Sequence, residues 1–139
     1  MLDLSDPRQA AIAARLQQEE FAYLTTVRPD GSPHTVPVCY VWDGRTAVIF
    51  SPPNTVKLRN LRQNPHVSLA LDNFGHNNTP VVVEGTAAQI DEPGVDFMMA
   101  ANVEKYTPLA TRLGTTMEQV AQIYTRAIRL TPTRIRQDQ

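Results

Sequence analysis

Cys39 is the only cysteine among 139 residues, which excludes an intramolecular disulfide framework and a thiolate metal cluster. No apolar run approaches the roughly 20 residues that span a bilayer, so no membrane partner is expected. Neither sign of charge dominates. Thirteen basic and 14 acidic residues leave a net charge of −1, and a broad nucleic-acid surface is not indicated. Phosphate-cradling glycine loops of the Walker and Rossmann types are missing. So is the Gly-x-Ser-x-Gly setting that would make Ser51 a hydrolase nucleophile. His34, His66 and His76 are far apart, with no second ligand at helical spacing, so no metal site is expected. Residues 1–8 are acidic where a signal peptide would be basic, and no apolar run follows; a cytoplasmic location is expected.

Proline is plentiful instead. Eleven of them punctuate the chain into short elements. Ser5-Asp6-Pro7 starts a helix over 7–18. Strands are expected over 21–27, 34–42, 46–50, 67–71, 81–90 and 127–135, with turns at Arg28-Pro29-Asp30-Gly31 and Asp43-Gly44. The first three make an antiparallel meander. Gly85 inside the fifth marks a bulge or a close backbone approach. Residues 73–80 form a polar loop. Helices follow over 95–105 and 115–124, the second opening on a capping box of Thr115 and Glu118. With no repeat or internal boundary, residues 1–139 are one domain. It is mainly β with flanking helices (α+β), about six antiparallel strands curled into a barrel. Strands this short leave edges that a partner subunit would cover.

The chain is organised around residues 51–65. Asn54 is the expected N-cap of a short helix that Pro65 closes. Lys57, Arg59 and Arg62 lie in it with no acid among them. Lys57 falls in the first turn, where the helix dipole disfavours a cation unless an anion is bound there. Lys57 and Asn60 share a face, while Leu58 and Leu61 dock the helix. An ammonium and an amide side by side, with first-turn N–H groups and the Thr55 hydroxyl, suit one phosphate or carboxylate. Ser51, at the end of the preceding strand, is placed to donate to the same anion.

Pro37 breaks the apolar run from Val36 to Trp42. It marks either an edge strand or a bulge that frees the Val36 and Val38 amides for a ligand. His34 opens the same strand and is retained as a site candidate on that account. Cys39 reads as a small buried apolar residue. Asp72 and Glu84 have no paired acid, so a carboxylate dyad has no support.

The order of these motifs is distinctive: Arg28 to His34, Val36-Pro37-Val38, Trp42, Ser51, Lys57-Leu58-Arg59-Asn60-Leu61 ending in Asn64-Pro65, then Val83-Glu84-Gly85-Thr86-Ala87. It resembles the split β-barrel flavin and deazaflavin oxidoreductases, the superfamily of pyridoxamine 5′-phosphate oxidase, and within it the branch that uses coenzyme F420. The resemblance is carried by residues 20–90 and by the last strand. It implies a homodimer with cofactor at the subunit interface. It also implies that Lys57 and Asn60 hold the cofactor phosphate, that the ring lies by Val36, Pro37 and Val38, and that Ser51 is near the cofactor, with Arg59 secondary. Some relatives carry a basic residue where Thr55 stands here. The implied reaction is hydride transfer between reduced F420 and a small electron-poor acceptor such as an enone or quinone. FMN in the same cleft is the alternative cofactor, and a non-catalytic haem- or cofactor-binding barrel the alternative function.

Overall fold

The structure is a computed structural model and describes residues 2–71 and 80–137. Asp72, His76 and nearly all of the expected loop over 73–80 lie outside the described residues. The elements run α1 (Pro7–Gln18), β1 (Ala22–Val27), β2 (Pro33–Val38), β3 (Tyr40–Trp42), β4 (Ala47–Ser51), α2 (Val56–Gln63), β5 (His66–Leu71), β6 (Val82–Ile90), α3 (Ala100–Arg112), α4 (Met117–Ala121) and β7 (Arg126–Arg136).

All strand pairings are antiparallel. They make one seven-stranded sheet in the order β2-β1-β5-β6-β7-β4-β3. The expected count of six was one short, because the strand expected over 34–42 is two. Its first half pairs with β1 and its second with β4, and Cys39 alone separates them. β2 and β3 therefore sit at opposite ends of the sheet while joined by one residue. Only a sheet curled round until its two ends meet satisfies both conditions, and that is the split barrel.

Curling gives the sheet an inside and an outside. Leu24, Tyr40, Ile49, Leu69, Val83, Ile128 and Leu130 fill the inside, closed by Ile12 and Leu16 of α1 and by Leu58 and Leu61 of α2. Val41, Val48 and Phe50 point outward and are covered by Phe97, Tyr106 and Ala110, with Met117 at the start of α4. β4 is thus buried on both faces, which is why it reads as an unbroken apolar run.

Local chemistry sets the ends of the helices. Asp6 caps α1 by accepting from the Arg8 N–H, with Pro7 at the first helical position. The capping box of α4 lies one residue later than expected, on Thr116 and Gln119. The helix expected over 95–105 starts later, at Ala100, and continues past Pro108 to Arg112.

Candidate functional site

α2 starts without a side-chain cap. Asn54 is not its N-cap, contrary to expectation: it adopts a left-handed φ of 62° and its carbonyl accepts from Arg59 Nη1 at 2.7 Å. Thr55 takes the cap position, yet its hydroxyl meets Ser51 Oγ at 3.1 Å instead of the helix. Ser51 is fully buried and also donates to the Pro52 carbonyl at 2.8 Å. These bonds form the corner after β4 and leave the first-turn N–H groups of α2 without a side-chain acceptor.

Lys57 sits in that first turn. It is 9 % exposed and has neither a hydrogen bond nor an ion pair among the described residues. Burial pushes its ammonium below the usual lysine range. A buried cation without a partner is costly, and a bound anion offsets that cost. Asn60, one turn on, is buried as well. Its Nδ2 donates to Thr26 Oγ1 at 2.9 Å, pinning α2 to β1. One of its two N–H bonds is spent there and one remains.

Thr26 lies opposite His34 in the β1–β2 ladder. His34 Nδ1 is buried and has no hydrogen-bond partner. Lys57, Asn60, Thr26 and His34 thus form one connected neighbourhood, with Ser51 and Thr55 at the corner leading into it. Arg59 does not join it; its side chain is exposed and turned back onto Asn54.

The alternative left open at Pro37 resolves as an edge strand. The β1–β2 register is unbroken from Ala22↔Val38 to Val27↔Pro33, so there is no bulge. The turn bond from the Arg28 N–H to the Ser32 carbonyl, 2.9 Å, sets the phase of the ladder. Antiparallel bonds alternate, so His34, Val36 and Val38 turn their N–H groups toward β1. Pro33, Thr35 and Pro37 face the open edge. The Val36 and Val38 amides are therefore committed to the sheet and not free, and the two prolines stand where no ladder bond is lost. The Thr25 and Thr35 hydroxyls, 2.8 Å apart across a non-hydrogen-bonded pair, agree with this phase. The side chains divide likewise. His34, Val36 and Val38 alternate with exposed Pro33, Thr35 and Pro37.

Two side chains with no signal in the sequence secure the joint between β2 and β3. The Tyr106 hydroxyl accepts from the Tyr40 N–H at 2.9 Å, and its one proton has two carbonyls in reach, those of Glu20 at 2.7 Å and Tyr40 at 3.0 Å. Lys105 Nζ donates to the Tyr40 carbonyl at 2.8 Å and lies 3.9 Å from the centroid of the Tyr40 ring. Cys39, at the joint, is half-buried against the outer core, and burial raises its thiol, which disfavours the nucleophilic thiolate. The cavities of about 570 Å³ beside Phe97 and Tyr124 and about 400 Å³ beside Arg62 and Arg126 are lined by none of the site candidates.

A curled antiparallel sheet, ends joined at one residue, with a basic, acid-free helix at its rim, defines the split-barrel class. Residues 9–138 match the family model described as pyridoxamine 5′-phosphate oxidase. The chain belongs to that family. Solved structures of similar fold include a conserved hypothetical protein of Mycobacterium tuberculosis, 27 % identical with a TM-score of 0.72 over 91 % of this chain and 81 % of that one. An F420 reductase is 23 % identical, TM-score 0.65, over 90 % of this chain and 95 % of that one. The haem storage protein HutZ of Vibrio cholerae is 17 % identical, TM-score 0.62, over 90 % and 89 %. No curated protein matches the chain in sequence.

Proposed function

We propose that this protein is an F420-dependent oxidoreductase that moves a hydride between the reduced deazaflavin and a small electron-poor acceptor of the enone or quinone type. Lys57 carries the reading: a cation buried in the first turn of a helix without a side-chain cap, with no acid in that helix and no partner among the described residues. The donor set fits a phosphate. Lys57, the first-turn N–H groups and the remaining Asn60 N–H would hold it, with Ser51 and Thr55 shaping the corner and Arg59 peripheral. The strand carrying Val36, Pro37 and Val38 would flank the ring. Hydride chemistry belongs to the cofactor, and the protein supplies binding and orientation. These residues line none of the cavities described above, which agrees with a cleft that a second copy of the chain completes.

The test is direct. F420, FMN and haem are added in turn to the purified protein, and binding is followed by fluorescence quenching or visible absorbance. Tight F420 binding is expected. Tight FMN binding without F420 binding moves the protein to the flavin alternative, and haem binding alone moves it to the storage alternative. Lys57→Ala is expected to weaken the cofactor complex by roughly 1.5–3 kcal/mol, the loss of a charged hydrogen bond. Unchanged affinity in that variant removes Lys57 from the site.

A further inference from the structure

A buried polar atom with no partner is uncommon in a folded protein and asks for a missing ligand. His34 Nδ1 is such an atom. Directly across the ladder, the Thr26 hydroxyl is engaged by Asn60. One turn back along α2, Lys57 is buried without a partner among the described residues. Two groups that want a partner therefore flank a pair that has one.

The charged groups of the elements around His34 define what is absent. β1 (AYLTTV), β4 (AVIFS) and α2 (VKLRNLRQ) hold no aspartate or glutamate. Lys57 is the buried cation of α2, and Arg59 is occupied with Asn54. At the β1–β2 turn, Arg28 bonds Ser32 and the Pro33 carbonyl. Asp30 is held by Ser32. No carboxylate in this set answers either Lys57 or His34.

We propose that an anionic ligand group completes this neighbourhood and that His34 donates to it through Nδ1 as the imidazolium, so that ligand uptake carries a proton with it. The cofactor reading supplies the ligand's identity, a phosphate-bearing cofactor; the anion chemistry follows from His34 and Lys57 themselves. The sign follows from linkage. An anion favours the charged imidazole, so the complex holds more protons than its separated parts. Affinity then rises as pH falls through the imidazole range, near 6.5 in free peptides.

The experiment reads His34 in the intact wild-type chain by NMR. The imidazole resonances are titrated from pH 5 to 9, alone and with saturating F420, FMN or inorganic pyrophosphate, and His34 is assigned by its loss in His34→Asn. A titration midpoint raised by the ligand supports the proposal; an unmoved midpoint overturns it. Dissociation constants for wild type and His34→Asn are compared at pH 5.5 and pH 8, so that the ligand's own titration cancels in their ratio. A wild-type advantage about tenfold larger at pH 5.5, equivalent to one unit of midpoint shift, is expected. A ratio independent of pH overturns the proposal. Should neither cofactor bind, the cofactor reading falls and pyrophosphate alone decides the role of His34; failure of all three to bind overturns both.

Discussion

Lys105 and Lys57 are both cations drawn into the fold, and they differ in what meets them. Lys105 has a carbonyl and the faces of Tyr40 and Tyr106; Lys57 has nothing among the described residues. Burial lowers Lys105 to about 8, against smaller upward pulls from Cys39, Glu19 and Glu20. Between that value and the ordinary 10.5 the unfolded chain holds a proton that the folded chain has released, so Lys105 makes stability rise with pH across this window, opposed above about 9 by the Cys39 thiol, which burial raises. Chemical denaturation of wild type at pH 7.5, 8 and 8.5, below the range in which Cys39 opposes it, is expected to show the rise, and Lys105→Met to flatten it. Equal slopes in the two proteins would remove Lys105 as its source. Above pH 10 the trend reverses, because Tyr40 and Tyr106 are both raised by burial and resist an ionisation that the unfolded chain undergoes. Of the individual candidates, the place of Lys57 in a basic, acid-free first turn was legible in the sequence, since it can be read from a single helix. The bond from Asn60 to Thr26 and the burial of His34 Nδ1 were not. Both depend on Thr26, which is adjacent to them only after β1 pairs with β2 and α2 packs across it.

At the scale of elements, the clearest sequence signal is Gly85. The β6–β7 register shifts between Glu84 and Gly85. A Cβ built on Gly85 would lie 2.1 Å from the Thr131 carbonyl oxygen and 2.9 Å from Pro132 Cα. Both obstacles are backbone, so neither can turn aside. Gly85→Ala is expected to cost about 3 kcal/mol or more, at or beyond the upper end for overpacking, measured as a lowered denaturation midpoint. A cost below about 1 kcal/mol would mean that the two strands separate more easily than their contact implies. Most strands were readable from their β-branched runs and turn residues, because those signals act over a few residues. The division of 34–42 was not. The apolar run from Val36 to Trp42 is broken only at Pro37, whereas the chain changes partner at Cys39. The atoms that stabilise the change come from Tyr106, 66 residues beyond Tyr40. The N-cap of α2 was misplaced for a related reason. Asn54 has the right chemistry, but the corner after β4 requires its left-handed backbone, and the cap falls to Thr55.

For the whole molecule, Phe21, just before β1, is 43 % exposed and Tyr23 of β1 is 44 % exposed, with exposed Pro37 across the ladder from Tyr23. The proposed dimer would use such a face, since the open edge of β2 offers little. If so, Phe21→Glu with Tyr23→Glu shifts the sedimenting species from dimer to monomer. A double variant that keeps the wild-type mass would place the contact elsewhere, and a monomeric wild type would remove the dimer from the reading. The edge itself faces outward with proline at 33 and 37, so Thr35 supplies its single outward N–H. An incoming strand would find carbonyls to donate to and almost no amide to accept from.

The one-residue joint at Cys39 turns the sheet from a ribbon into a hoop. A ribbon can gape at its ends; a hoop whose ends are tied can only shear. Hydrogen exchange in β2 and β3, which lie farthest apart in strand order, should therefore rise and fall together, and loosening Tyr106 should release both at once.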